Sequence, residues 1–266
     1  MTDSEPAART IRAAFGAAVF VLAALFSACG VEITISDDDS DGTPPAAFED
    51  GIAVAIVYDT SGSMNEPTKL RTGGFAQKYV VANDALRSII DRLESWAKGG
   101  SPGSPRRVDA GLYVFSGDEG RAVVPMGPLD ARSLRDWVGG FEKPDGPTPL
   151  GETLAMAGRA VLRSRLSKKH VLVVTDGESN RGLTPAKALG KLSRLAGAWK
   201  TSVSTHVVAF DVNAAVFEAI KAQGATLLSA SNEAQLNEQL TFLLEKKILL
   251  EDEEPAGSGS GMSTTK

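Results

Sequence analysis

A carboxylate and several hydroxyl groups directly follow an apolar run in the first quarter of the sequence. The run IAVAIVY (52–58) has the length of a buried strand, and the residues after it, DTSGS, supply Asp59, Ser61 and Ser63. Such side chains suit a helix cap, a turn, a nucleophile or part of a metal site. Mg²⁺ prefers oxygen ligands of this kind. Which of these uses applies depends on the side chains in the rest of the sequence.

Two further segments carry polar side chains, one at the end of an apolar run and one in a turn. Asp176 lies at the end of a second apolar run, HVLVVTDG (170–177), and Thr148 lies in the turn GPTP, which precedes a helical pattern. Sites of open parallel sheets form in the crevice at the carboxyl ends of the strands. We therefore expect Asp59 and Asp176 to meet at one edge of a sheet, while Thr148 opens a helix between them in the sequence.

The pattern of apolar residues predicts the sheet that this arrangement needs. Short apolar runs alternate with segments of helical periodicity, which predicts an α/β fold with a doubly wound, mainly parallel sheet and helices on both faces. We predict one domain over 51–250 and a disordered tail over 251–266. The predicted strands are 52–58, 108–117, 121–126, 170–177, 203–212 and 225–230, and the predicted helices are 77–100, 129–141, 148–166, 184–200, 213–224 and 232–250.

Together the polar segments resemble a known binding motif. D-x-S-x-S after the first strand, a threonine in a Gly- and Pro-rich turn and T-D-G after a central strand resemble the metal-ion-dependent adhesion site of von Willebrand factor A domains, over about residues 51–248. The resemblance implies a Rossmann-like fold and a divalent cation, Mg²⁺ first and Mn²⁺ or Ca²⁺ as alternatives. It also implies that a protein partner supplies a carboxylate to the cation. The implied ligands are Asp59, Ser61, Ser63, Thr148 and Asp176.

The hydroxyl groups have a chemical reason in such a site. They are neutral ligands, so they hold a cation without cancelling the charge that attracts a partner's carboxylate. Less specific roles stay open, because Ser61 or Ser63 could cap the next segment and Thr148 could cap a helix. We expect a binding protein and not an enzyme. The alternatives are a metal-dependent hydrolase, with Glu178 as the adjacent candidate base, and a scaffold that uses no metal.

The first residues have the pattern of an export signal. Two arginines precede the apolar stretch 13–26, and SACG then brings the single cysteine, Cys29. This pattern resembles the lipobox of bacterial lipoproteins, which implies a signal peptide over 1–28 and a lipid on Cys29. An ordinary signal cleaved nearby and a short uncleaved anchor are the alternatives. We expect a lipid-anchored protein on the extracytoplasmic side of the bacterial cell envelope, with Gly30 favouring the outer membrane.

Charge limits the class of partner. Residues 29–50 are acidic and contain prolines, which predicts a linker between the membrane and the domain. The chain has a net charge of −5 and no basic stripe, so we expect no nucleic-acid partner.

Overall fold

The structure is a computed structural model, and it describes residues 43–99, 105–177 and 179–250. The predicted signal peptide, Cys29, most of the predicted linker, Glu178 and the tail 251–266 lie outside the described residues. Their predictions therefore stay predictions.

A six-stranded sheet forms the centre of the fold, and a separate two-stranded hairpin lies beside it. The strands are β1 (Glu49–Tyr58), β2 (Pro67–Lys69), β3 (Phe75–Gln77), β4 (Val108–Ser116), β5 (Glu119–Pro128), β6 (Leu166–Thr175), β7 (Ser204–Phe210) and β8 (Thr226–Ala230). The sheet order is β5-β4-β1-β6-β7-β8, and only the edge strand β5 is antiparallel to its neighbour. This confirms the predicted doubly wound, mainly parallel sheet.

Helices cover both faces of the sheet. They are α1 (Lys78–Lys98), α2 (Ala131–Gly140), α3 (Leu150–Arg163), α4 (Pro185–Ala198), α5 (Glu218–Lys221) and α6 (Glu233–Phe242). Along β1, Ile52, Val54 and Ile56 pack in a core with α1, α2 and α6, whereas Ala53 and Val57 pack in a second core with α3 and α4. All five side chains are fully buried, as expected for a central strand with apolar residues on both faces.

The junction between α3 and β6 differs from the prediction. The helix predicted over 148–166 ends at Arg163, and β6 already begins at Leu166. The first residues of β6 are mainly polar, so the pattern of apolar residues does not reveal this part of the strand. Lys169 is nevertheless only 2% exposed, and burial lowers its pKa to about 8. Its ammonium donates to three backbone carbonyl oxygens at the junction, those of Val161, Ser164 and Leu166. Lys169 therefore ties the end of α3 to the start of β6 through backbone carbonyl groups.

Three further segments differ from the predicted pattern. The residues after the DTSGS segment form the hairpin β2–β3, where no strand was predicted. The helix predicted over 213–224 is a 3₁₀ turn, Ala214–Phe217, followed by the short α5. The last predicted helix changes from α6 to a π-helical turn at Leu243–Ile248. Among the residues that the structure describes, no helix is both long enough and apolar enough to span a bilayer.

Candidate functional site

The register of β1 against β6 brings the first and third polar segments together. Tyr58 pairs with Val174, and the amide of Asp59 donates to the carbonyl oxygen of Val174 at 3.0 Å. The two strands are parallel neighbours, so the chain leaves both of them at the same edge of the sheet. Asp59 and Asp176 therefore lie side by side, as the sequence predicts.

Asp59 is held rigidly by its neighbours. It is fully buried, and its Oδ1 accepts hydrogen bonds from the backbone amide of Ser61 at 2.8 Å and from the Ser61 hydroxyl at 2.5 Å. Its Oδ2 accepts a hydrogen bond from the Thr175 hydroxyl at 2.5 Å. Thr60 takes no part in this set, because its hydroxyl bonds to the backbone of Phe115 at the end of β4.

Ser63 joins the first polar segment to the third. Its hydroxyl donates to Asp176 Oδ1 at 2.6 Å and lies 3.1 Å from the hydroxyl of Ser61. Ser61 is the residue before a 3₁₀ turn, but its side chain makes no capping hydrogen bond there. Ser61 therefore does not cap this turn, which was one of the roles that the sequence left open. Its hydroxyl donates to Asp59 instead.

Thr148 approaches from the third side. Two backbone contacts attach its loop to the first segment, from the Gly62 amide to the Gly146 carbonyl at 3.1 Å and from the Asp145 amide to the Thr60 carbonyl at 2.9 Å. The helix α3 begins at Leu150 and has no side-chain cap, so Thr148 does not cap it. A side chain at Gly177 would begin 3.7 Å from the Thr148 and Ser63 hydroxyl oxygens, which shows that both hydroxyls converge over Gly177.

The residues that were predicted as ligands fit a divalent cation. Two carboxylates and three hydroxyls form a set of oxygen ligands, which suits Mg²⁺, Mn²⁺ or Ca²⁺. Among the residues that the structure describes, no group of three or more His, Cys, Asp or Glu side chains could hold a metal. A cation here would have to use the hydroxyl groups, and the ligands would be Asp59, Ser61, Ser63, Thr148 and Asp176.

The comparison with known families agrees with this geometry. A profile of the von Willebrand factor type A domain matches residues 53–241, which is more than half of the chain. The chain belongs to this family. No curated protein sequence matches this von Willebrand factor type A (VWA) domain protein significantly.

Several solved structures share the fold at low sequence identity. The PilB minor pilin from Streptococcus sanguinis has a TM-score of 0.56 at 15% identity, over 75% of this chain and 61% of the pilin chain. The vWF domain of the type V pili tip protein Mfa5 from Porphyromonas gingivalis has a TM-score of 0.54 at 13% identity, over 74% of this chain and 95% of that domain.

A third structure was solved with a metal. Proximal thread matrix protein 1 from the mussel byssus, with a zinc-occupied MIDAS motif (the adhesion-site motif named above), has a TM-score of 0.52 at 16% identity, over 74% of this chain and 48% of the other. This chain thus spans about three fifths of the PilB chain and about half of the mussel chain. At these identities the likeness shows the fold of the VWA domain.

One charged side chain of the site, that of Lys78, was not predicted from the sequence. The ammonium of Lys78 lies 3.0 Å from Asp176 Oδ2, and Lys78 is 4% exposed. Burial alone would lower the pKa of Lys78, but its hydrogen bonds to Asp176 and Glu66 raise the pKa above the ordinary value. A signal was present in the sequence, because Lys78 starts the apolar stripe of α1 that continues at Val81 and Ala82.

Sequence reasoning also missed how the loop after Asp176 is fastened. The amide of Thr148 donates to Asn180 Oδ1 at 2.9 Å, and the amide of Asn180 donates back to the Thr148 carbonyl at 3.2 Å. Glu152 in α3 accepts a hydrogen bond from the amide of Leu183 in the same loop. Hydrogen bonds therefore hold the segment that contains Thr148 and the loop after Asp176 together.

The sequence contains two histidines, His170 and His206. The structure places both in the core, with His170 Nδ1 3.3 Å from His206 Nε2 on the neighbouring strand. They lie within β6 and β7, before the strand ends that carry the site. They are not among its ligands.

The charge of Asp59 makes the stability of the metal-free domain depend on pH. Burial and the neighbouring charge of Asp176 raise the pKa of Asp59 to about 6 from an ordinary value of 3.8. The folded state then binds a proton that the unfolded state has lost. Protonation of Asp59 therefore stabilises the folded state. This stabilisation is fully present below about pH 4 and is lost as the pH rises through about 6.

We therefore expect a pH effect that one substitution removes. In EDTA, lowering the pH from about 7.5 to about 5 should raise the Asp59 contribution to the free energy of unfolding by about 1 kcal/mol. The measurement is urea unfolding of the wild type and of Asp59→Asn at both pH values. From pH 7.5 to pH 5 the wild type should gain stability relative to Asp59→Asn by about this amount, and parallel pH profiles would contradict the expectation.

Proposed function

We propose that this VWA domain binds a protein partner through a divalent cation at the strand ends of β1 and β6. The ion we propose is Mg²⁺, and Mn²⁺ or Ca²⁺ suit the same ligands. The observation that carries the proposal is the 2.6 Å hydrogen bond from Ser63 to Asp176, which joins two motif segments 113 residues apart. The proposed ligands are Asp59, Ser61, Ser63, Thr148 and Asp176.

Each side chain has a defined part in this role. Asp59 and Asp176 supply two negative charges, and Thr175 and the Ser61 amide keep the Asp59 carboxylate oriented. The hydroxyls of Ser63 and Thr148 approach from opposite segments and add no charge. When bound, the cation would supply an electrophilic centre for an acidic side chain of the partner.

The hairpin β2–β3 is a second surface that a partner could use. Glu66 immediately precedes the hairpin, and its carboxylate accepts a hydrogen bond from Lys78 beside the site. Phe75 on β3 is 73% exposed, although a phenylalanine is usually buried. We propose that this hairpin contacts the same partner, with Phe75 as an apolar contact.

The role we propose is binding and not catalysis. A hydrolase would need a base beside the cation, and its candidate, Glu178, lies outside the described residues. A scaffold that uses no metal is the second candidate. The observation that favours it is the ammonium of Lys78, which already places a positive charge against Asp176.

A metal-binding measurement tests the main proposal. At about ten times the dissociation constant, Mn²⁺ or Mg²⁺ should raise the free energy of unfolding of the full-length wild type by about 1.4 kcal/mol over EDTA. Ser63→Ala and Thr148→Ala each remove one neutral ligand and should abolish most of this gain. The matched control is Ser88→Ala, at a serine on α1 that bonds only to its own helix.

The result that would overturn the main proposal is a wild type without any gain at saturating cation. Equal gains in wild type and both site variants would show that the cation binds elsewhere. Isothermal titration with Mn²⁺ on the same proteins provides the dissociation constants directly.

We further propose that a lipid on Cys29 holds the protein in the bacterial cell envelope, on the extracytoplasmic side. The support is the sequence of residues 13–29, an apolar stretch of signal length followed by the single cysteine. PilB is a minor pilin and Mfa5 a pili tip protein, which agrees with an envelope location. A labelled fatty acid fed to expressing bacteria should be incorporated into the wild type and not into Cys29→Ser, and equal labelling of both would contradict this.

A further inference from the structure

Lys78 is the one buried cation in contact with the proposed ligands among the residues that the structure describes. Its ammonium lies 3.0 Å from Asp176 Oδ2 and 3.0 Å from Glu66 Oε2. The side chain of Lys78 is 5% exposed and that of Asp176 is fully buried, whereas that of Glu66 is 64% exposed. One ammonium thus connects a buried carboxylate of the site to an exposed carboxylate at its rim.

This arrangement balances charge in the absence of a metal. A buried carboxylate without a counter-charge is costly, and Asp59 adds a second buried carboxylate to the same site. The ammonium of Lys78 compensates one of the two. A divalent cation would compensate the same carboxylates. The ammonium and the cation would repel each other if both lay in the site.

We propose that Lys78 is a tethered cation that competes with the divalent ion for Asp176 and so weakens metal binding by the domain. This inference rests on the metal-binding function proposed above and deepens it. Metal has to take Asp176 from the ammonium, and the ammonium then keeps Glu66 as its partner. The exposed carboxylate at the rim lets Lys78 give up Asp176 without becoming a buried, unpaired charge.

A supporting role for Lys78 would have the opposite effect. If the ammonium only held Asp176 in the orientation that the metal needs, its removal would weaken metal binding. If it competes, its removal strengthens metal binding. The sign of the change in affinity therefore separates the two roles.

The test compares Mn²⁺ affinities of full-length proteins by isothermal titration. Lys78→Gln removes the charge and keeps a hydrogen-bond donor, and Lys78→Met removes both. We expect each variant to bind Mn²⁺ about tenfold more tightly than the wild type, the size expected for removing one positive charge within the site. The control is Lys98→Gln, at an exposed lysine at the end of the same helix, which should leave the affinity unchanged.

A second readout covers a variant that is unfolded without metal. The Mn²⁺ concentration that restores the folded circular dichroism signal then reports the affinity through the coupling of binding to folding. Among the variants that are unfolded without metal, this concentration should follow the order of the dissociation constants.

The possible outcomes separate this inference from the proposed function. Equal or weaker affinity in both Lys78 variants, beside a wild type that binds, overturns the inference and leaves the function standing. Binding by the variants alone supports the inference and removes metal binding from the wild type. If neither the wild type nor the variants bind, both proposals are wrong, because Lys78 is not what keeps the ion out.

Discussion

Replacing Asp176 by alanine should lower the free energy of unfolding of the metal-free domain by about 3 kcal/mol. The substitution leaves the Lys78 ammonium buried at 5% exposure without its buried partner. Removing one member of a buried ion pair is strongly destabilising, since the remaining charge has lost water and gained nothing in return. The exposed carboxylate of Glu66 keeps part of the compensation, so we expect the low end of the usual range.

Two companion variants isolate the cause. Lys78→Met combined with Asp176→Ala removes both charges and should recover more than half of the lost stability. Glu66→Ala removes only the exposed partner and should cost less than about 1 kcal/mol. Urea unfolding of the wild type and of these three variants in EDTA gives the values. If Asp176→Ala alone costs no more than Glu66→Ala, the buried pair does not have the importance assigned to it.

Replacing Gly151 by alanine should cost about 3 kcal/mol or more and should also abolish metal binding. A methyl group at this position in the first turn of α3 would lie 1.7 Å from the carbonyl oxygen of Leu183 and 3.0 Å from the carbonyl carbon of Thr184. Both contacts are with backbone atoms, which cannot rotate away. The helix and the loop after β6 would have to separate, and this would move Thr148 away from Asp176.

The same substitution elsewhere provides the control. Gly197 lies in α4 with open space around the position of a side chain, so Gly197→Ala should stabilise by about 0.5–1 kcal/mol. A methyl group at Gly158 in α3 would lie closest to side-chain atoms of Leu192 and not to backbone atoms, so Gly158→Ala should fall between the two. Urea midpoints of the three variants test this order. A Gly151→Ala protein as stable as Gly197→Ala would show that helix and loop do not touch as described.

The sequence predicts that Asp59 and Asp176 lie together because both follow strands of a parallel sheet. An apolar run such as 52–58 can be recognised from composition, and the chain direction in a parallel sheet then places the next residue at the site. Asp59 and Asp176 could be brought together in this way without knowledge of any side-chain contact.

Other parts of the site depend on contacts that no local pattern carries. Lys78 was assigned to the start of an amphipathic helix, and only the structure shows that its apolar position faces a carboxylate distant in sequence. The close packing of Gly151 on Leu183 is a contact between backbones, which composition does not reveal. The start of β6 was predicted too far along the chain. A lysine is usually a surface residue, whereas the side chain of Lys169 is buried.

The pairing of β1 with β6 also determines when the site comes into being as the chain folds. Asp59 and Thr175 are 116 residues apart, so closing that loop costs chain entropy before any contact across it is gained. Contacts of this range slow folding, and they form only after the sheet has added β6. A segment that stops before Thr175 contains four of the five ligand residues and cannot assemble them. Cation binding by this protein would therefore report the pairing of β1 with β6, and it would stabilise the folded state only after these two strands, the paired strands farthest apart along the chain, have met.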